Sequence, residues 1–278
     1  SWPLRPFGSF LISPDSSSDL QVEVSVVAHL PELPTGPTRF DSAHGCWKLF
    51  ESDSGFLFES LDPKILQPRV RALVSDNYRS VRAWILPDLQ DGQVGWSPMQ
   101  LFNPLIEVCL LSCLAREGGL LLHAAGLSFR EKGFVFTGAS GTGKSTIAEL
   151  FANRGAKILS DERVILRRLG GAFSIYGTPW VGSGNYAENS SASIAALCCI
   201  EHGQDRHCLE PLALSKSVTL LLQQAFLPFW DRIGLETTLD FLASLTTQTP
   251  CYSLAFLRNG DVVDLLNDCS LPTPTAIA

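Results

Sequence analysis

The sequence predicts an α/β fold preceded by a β-rich N-terminal region, and three observations carry that prediction. A glycine-rich run at 138–146 stands between an apolar, strand-like stretch and an amphipathic, helix-like one. A second short apolar stretch at 157–160 ends in Asp161-Glu162. The first hundred residues hold short, nearly alternating apolar runs, such as 20–27 and 81–86, separated by turn-rich segments at 14–19, 31–38 and 87–95. Residues 1–103 therefore read as the β-rich region and 104–278 as the α/β domain.

In the second region each element has a local cause. Asn103 is a good helix cap and Pro104 suits a first turn, so a buried helix is expected from there through Leu114, stopped by Gly118-Gly119. The apolar stretches 120–129 and 134–137 read as a hairpin whose turn is Glu131-Lys132, with Gly133 closing it. That register sets His123 opposite Ser140. A helix follows the glycine run through Asn153, with Gly155 as its stop. Residues 212–245 read as helical, interrupted near Pro228 and Gly234, with Phe226, Phe229, Trp230, Leu239 and Phe241 as apolar anchors.

Composition excludes several functions. The chain has 278 residues, 45% apolar and only 18% charged, against about 25% charged in ordinary soluble chains. It can bury a core and is not generally disordered. A net charge of −7, with no basic block, argues against nucleic acid or an anionic membrane as partner. The longest apolar stretch, 105–127, is broken by Glu107, Arg116 and Glu117, so no membrane span is expected. The chain opens without Met, as if after a trimmed leader or tag, and shows no signal-peptide pattern. Its eight cysteines form no C-x-x-C. Cys208 with His202 and His207 lacks the second ligand pair that a zinc site needs. Reduced thiols in a cytoplasmic protein are the expectation.

The chemistry lies in Gly138-Ala139-Ser140-Gly141-Thr142-Gly143-Lys144-Ser145-Thr146, which fits G-x-x-x-x-G-K-[ST]. Glycines let backbone N–H groups turn around phosphate oxygens with no Cβ in the way. Lys144 supplies a point charge to the β and γ phosphates, Ser145 offers a hydroxyl to Mg²⁺, and the helix N-terminus favours the anion. Asp161 lies 17 residues after Lys144, at the end of the next strand and on the phosphate edge of the sheet. A carboxylate there can hold Mg²⁺ or take a proton from an attacking hydroxyl. Glu162 beside it faces the other way along a strand. His123, level with the loop, can share a proton with a carboxylate or be a satisfied core histidine.

These residues resemble the HPr kinase/phosphorylase family and its wider relatives, whose kinase domain has a fold similar to phosphoenolpyruvate carboxykinase. Three features carry the likeness: His123 within Leu121-Leu122-His123-Ala124-Ala125-Gly126, the loop Gly138 to Thr146, and Arg154-Gly155 followed by Leu159-Ser160-Asp161-Glu162. Further on, Tyr176-Gly177-Thr178-Pro179-Trp180 and the stretch from Pro250 to Phe256 followed by Val262-Val263 are similar to a divergent subgroup that includes kinases of lasso-peptide pathways. The resemblance implies an ATP- and Mg²⁺-dependent kinase acting on a serine of a peptide or small protein. It implies Asp161 as the group acting on the acceptor, assisted by His123, with Lys144 on the phosphates and Ser145, Glu162 and Glu188 toward the metal. A transition-state arginine is expected, with Arg206 on the polar stretch 201–207 as one candidate and Arg232 and Arg258 also available. Trp180 is a candidate substrate-facing aromatic. A homo-oligomer is also among the family's expectations. The family's second Asp is Glu162 here, and its phosphorylase signature is not recognisable. Two other readings stand beside this one: a small-metabolite kinase, and a nucleotide- and peptide-binding module without transfer.

Overall fold

The computed structural model describes residues 7–13, 16–43, 45–62, 66–90, 93–95, 99–201 and 206–268. The chain forms two compact units, one of residues 13–117 with 227–235, the other of 118–226 with the segment from Glu236 onward.

The first unit is built on a six-stranded sheet. Its strands are β1 (Gln21–Val26), β2 (Thr38–Asp41), β3 (Trp47–Ser52), β4 (Gly55–Leu61), β5 (Pro68–Ser75) and β6 (Ser80–Ile85), in the order β1-β6-β5-β4-β3-β2. Only β1 and β6 run parallel; the other neighbours are antiparallel hairpin partners. A two-stranded ribbon, β7 (Asp88–Gln90) and β8 (Gln93–Gly95), follows. After short helical turns at Met99–Leu101 and Phe102–Ile106 comes α1 (Glu107–Arg116). Asn103 keeps an extended backbone (φ −128°, ψ 119°), so regular helix begins only beyond it. The predicted stop is where the chain turns, with Gly118 at φ +68°. The segment 227–235 seals this unit: Trp230 packs on Phe40 and Trp47 and donates its indole N–H to Ser112 Oγ at 2.9 Å. Arg116 pairs with the buried Asp231 at 2.8 Å.

The second unit contains β9 (Gly119–Phe129), β10 (Lys132–Thr137), α2 (Lys144–Ala152), β11 (Lys157–Ser160), β12 (Arg163–Leu169), β13 (Ala172–Tyr176), β14 (Ser191–Glu201), β15 (Cys208–Pro211), α3 (Leu214–Leu222), α4 (Arg232–Gln248, entering from the first unit), β16 (Cys251–Ala255) and α5 (Asp261–Asp268). Two long strands, β9 and β14, serve two sheets each. β9 pairs with β12 through Gly119–His123 and with β10 through Ala124–Phe129. β14 pairs with β13 at its start and with β10 and β16 further on.

Alternation then sorts the side chains. Leu120, Leu122 and Ala124 of β9 join Val135, Val164, Leu166 and Leu197 in one core with Phe241, Leu242 and Leu245 of α4. Ala125, Leu127 and Phe129 join Phe134 and Phe136 in another, closed by Ile147, Ala148 and Phe151 of α2. His123 is odd-numbered like the second set, so its side chain issues on the α2 side of β9.

Several expectations are corrected. The β9–β10 hairpin turns at Arg130-Glu131, both with positive φ (50° and 67°), and sets Thr137 opposite Ala124, two residues away from the expected register. Gly133 is not a turn residue: a Cβ there would lie 2.5 Å from the Ser193 carbonyl oxygen, so the glycine admits β14 alongside β10. Gly234 does not interrupt a helix, since α4 runs through it. Of the expected anchors, Trp230 and Phe241 are buried, while Phe229 is 64% exposed and Leu239 is also exposed. The seven described cysteines are free thiols, and Cys269 and His202 lie outside the described residues. Among the described residues no helix is long and apolar enough to cross a membrane.

Candidate functional site

Strands β10, β14 and β16 run parallel, so the loops following them leave one edge of the sheet, where open α/β sheets bind ligands. The loop from Gly138 to Gly143 leaves β10 there. Its glycines sit at φ +154°, +83° and +109° for Gly138, Gly141 and Gly143, a region in which L side chains are strained. Two of them are also sterically required. A Cβ on Gly138 would lie 2.9 Å from the Ile200 carbonyl oxygen, and one on Gly143 would lie 3.1 Å from the Phe256 ring. The loop closes on itself: Thr142 N–H and Oγ1 donate to the Ala139 carbonyl at 3.3 and 2.9 Å. Lys144 is only 7% exposed, and its Nζ donates to the carbonyls of Gly138 (2.8 Å) and Ala139 (3.2 Å). Burial lowers the Lys144 ammonium from its ordinary value, and the Glu162 carboxylate opposes that.

Asp161 stands at the end of β11, 1% exposed, and its carboxylate is fully engaged. Oδ1 accepts the N–H groups of Gly182 (2.9 Å) and Tyr186 (3.3 Å), while Oδ2 accepts Gly184 N–H (2.7 Å) and Ser145 Oγ–H (3.1 Å). Ser183 Oγ in turn donates to Ser145 Oγ at 3.0 Å. These contacts explain the glycines of the wrapping loop, because a Cβ on Gly182 or Gly184 would come within 2.9 or 2.8 Å of Asp161 Oδ2. Gly177 makes the turn into this loop, where a Cβ would overlap the Glu188 carbonyl oxygen.

Glu162 has a different setting. Its side chain is 36% exposed, with Oε2 3.7 Å from His123 Nε2. The strand register explains the meeting, since Ala124 N–H donates to the Glu162 carbonyl at 3.1 Å and β12 begins with Arg163 opposite His123. His123 is fixed from its other side by the segment before Phe226. His123 N–H donates to the Gln224 carbonyl at 2.9 Å, and Thr137 Oγ1 donates to the His123 carbonyl at 2.9 Å. Burial pushes the His123 imidazole below its ordinary value, and the Lys144 and Arg163 charges act the same way; Glu162 and the Gln224 side-chain hydrogen bond oppose them. Arg163 lies over the rings of Phe226 (4.6 Å) and Trp180 (5.5 Å), beside this pair. Trp180 is held by Ser160 Oγ donating to its carbonyl at 2.9 Å.

Of the residues expected at the site, Gly138 to Ser145, Asp161, Glu162 and His123 come together. Thr146 lies in the first turn of α2, behind the cradle. Glu188 does not join them: residues 187–188 run back alongside β11, and its carboxylate meets Lys157 Nζ at 3.5 Å, at the end of that strand remote from Asp161. Arg206 is exposed in the connection from β14 to β15, on the sheet edge that carries the cradle. Arg258 follows β16 on the same edge, whereas Arg232 belongs to the first unit. His207 has both ring nitrogens engaged, Nδ1 accepting Leu257 N–H at 3.3 Å and Nε2 meeting Asn259 Oδ1 at 2.9 Å, which leaves it no lone pair for a metal. Sequence reasoning missed Gly182, Ser183, Gly184, Tyr186 and Gln224. The Gly-Ser-Gly triplet was the available signal for the first three; nothing marked Gln224, which reaches His123 only through the tertiary fold.

The donor set can be tested against the groups the motif implies. A cradle that Cβ atoms would obstruct and a buried lysine suit a polyphosphate. A serine hydroxyl beside a carboxylate suits Mg²⁺, which is held by few protein oxygens together with phosphate oxygens. Among the described residues no group of three or more His, Cys, Asp and Glu side chains forms a metal cage.

No family model matches the chain, and no curated protein sequence matches it. Among solved structures, the HPr(Ser) kinase/phosphatase from Coxiella burnetii is similar over 53% of this chain and 93% of that one, at 12% identity and a TM-score of 0.33.

Proposed function

We propose that this chain is a Mg²⁺-dependent phosphotransferase that moves the γ-phosphoryl group of ATP to a hydroxyl, the acceptor being a serine of a peptide or small protein. The observation that carries this reading is the hydrogen bond from Ser145 to Asp161, which ties the end of the glycine cradle to the acid of the next strand. The backbone of residues 139–145 takes the phosphate oxygens, and Lys144 exchanges the Gly138 and Ala139 carbonyls for β- and γ-phosphate oxygens. Ser145 would hold Mg²⁺, with Asp161 orienting its hydroxyl, and the ion would neutralise charge on the phosphates.

The surroundings of the two acids support a division of labour other than the one the family resemblance implied. Asp161 already accepts four hydrogen bonds and is closed to solvent, which suits a fixed group that orients Ser145 on the metal side. Glu162 is accessible and lies near both Lys144 and His123, which suits the base. In this reading Glu162 takes the acceptor proton as its oxygen bonds to the γ-phosphorus and the bond to the β-phosphate oxygen breaks, with ADP leaving. His123, kept neutral near pH 7 by its lowered pKa, orients Glu162. Arg206 remains the proposed cation for the migrating group.

The test is intact-mass spectrometry of serine-containing peptides incubated with the chain, ATP and Mg²⁺. Addition of one phosphate, lost in Lys144→Ala, is the expected result. Equal phosphorylation by both chains would sink the assignment. Parallel assay of free hydroxyl metabolites separates a small-metabolite kinase, and nucleotide binding with no transfer to any acceptor would favour a binding module.

A further inference from the structure

We propose that Arg163 selects the acceptor of this site, favouring a serine flanked by an acidic side chain whose carboxylate its guanidinium takes edge-on. The proposal rests on the kinase reading above and gives a role to a residue outside both the glycine-loop motif and the acidic pair.

Strand register brings Arg163 to the site. It stands directly opposite His123 in the antiparallel pair of β9 and β12, and such partners share a face of the sheet. The next residue, Val164, turns with Leu122 into the core, so Arg163 and His123 issue together on the other face. There His123 Nε2 meets the Glu162 carboxylate at 3.7 Å, and the Arg163 charge acts on the imidazole. All three side chains are half-buried. Arg163 therefore stands beside the groups proposed to handle the acceptor hydroxyl. With Lys144 turned to the phosphates, it supplies positive charge on the acceptor side.

The arginine is also held in place before any acceptor arrives. Its backbone N–H donates to Ser160 Oγ at 3.2 Å, and its carbonyl accepts Thr178 Oγ1–H at 2.6 Å. Ser160 is wholly buried, and the same hydroxyl accepts Glu162 N–H at 3.2 Å and donates to the Trp180 carbonyl at 2.9 Å. One buried oxygen thus sets the proposed base, the arginine and the indole relative to one another. The guanidinium carbon lies 4.6 Å from the centre of the Phe226 ring and 5.5 Å from that of Trp180. Phe226 is itself fixed by its N–H donating to the Leu121 carbonyl at 3.0 Å. A guanidinium lying on rings bonds through its edge, in the planar fork that matches a carboxylate. A basic flank on the acceptor would be repelled from the same place.

The experiment measures kcat and KM of the full chain, with ATP and Mg²⁺, on serine peptides with blocked termini whose residues on both sides of the serine are Glu, Ala or Lys. For the wild type, kcat/KM on the Glu peptide should exceed that on the Ala peptide about 10-fold, with the difference in KM and the Lys peptide poorest. Arg163→Gln keeps a planar group against the rings and removes the charge. It should bring the Glu-to-Ala ratio to about 1, with binding of a fluorescent ATP analogue showing that the cradle is intact. Arg163→Lys, charged but without the fork, should give a ratio below that of the wild type. Equal use of the Glu and Ala peptides by the wild type, or an undiminished preference in Arg163→Gln, overturns the inference and leaves the proposed kinase standing. An equal loss on all peptides in Arg163→Gln also overturns it, since the arginine would then serve the fold or the chemistry and not the choice of acceptor. Where Arg163→Gln fails to fold, Arg163→Lys decides, because a ratio equal to that of the wild type removes the fork from the argument. Transfer by the wild type to none of the peptides overturns the proposed acceptor and this inference together.

Discussion

Two glycine loops meet at the hydrogen bond between Ser145 and Asp161, and they employ similar residues for opposite ends. The loop from Gly138 to Gly143 closes on itself, and Lys144 lies across its own carbonyls. The loop from Gly182 to Tyr186 closes on a protein carboxylate, spending three backbone N–H groups on Asp161. The first is the loop proposed to receive an anion; the second closes on a carboxylate of the chain itself. Glycine is demanded in the first chiefly by backbone angle and in the second by close approach of the Asp161 side chain. The contrast extends to the adjacent acids, one enclosed and one accessible.

Breaking the first loop should have the largest effect on activity. Lys144→Ala is expected to reduce phosphoryl transfer about 10³-fold, with the circular dichroism spectrum and thermal midpoint nearly unchanged. Retained activity in that variant would remove the cradle from the mechanism.

The acids give the sharpest test of the contrast. Glu162→Gln should cost transfer about 10²-fold or more while leaving stability within about 0.5 kcal/mol. Asp161→Ala should destabilise the chain by about 2 kcal/mol, because three part-buried N–H groups lose their acceptor. Urea denaturation and steady-state rates on both variants decide the matter; equal stability losses would erase the distinction.

Gly182→Ala probes the second loop alone. Pressing a Cβ against Asp161 should cost about 1–3 kcal/mol, seen as a lower urea midpoint, whereas Gly141→Ala, which meets open space but a φ of +83°, reports backbone strain only.

The smallest effect concerns protonation of His123. Its pKa lies below the ordinary value, so the ring is neutral above that point and gains a proton only as the pH falls through it. Glu162 and Gln224 both favour the protonated ring. Removing either, in Glu162→Gln or Gln224→Leu, should move the His123 titration to still lower pH, read by NMR of the imidazole nitrogens. A move upward would contradict the geometry.

Several parts of the molecule were legible in residue order alone, and the reason is that they are local. The glycine loop, the helix after it and the acid at the end of the following strand depend on neighbours within a few tens of residues. The hairpin register was not legible. Gly133 resembles a turn residue, but its glycine answers to Ser193 of β14, some sixty positions away. The turn at Arg130-Glu131 uses two positive-φ residues that carry no glycine or asparagine to announce it. Glu188 was placed by sequence distance from Asp161, whereas the antiparallel return alongside β11 carries it to Lys157.

Sequence by itself determined that this chain has an α/β core, a glycine loop between strand and helix and an acid one strand later, because glycine angles, strand alternation and helix periodicity are properties of short segments. Tertiary structure alone decided which of two neighbouring acids is enclosed and which meets the imidazole. Those outcomes depend on a loop some twenty residues beyond Asp161 and on Gln224, whose positions exist only once β9, β11 and β12 are paired.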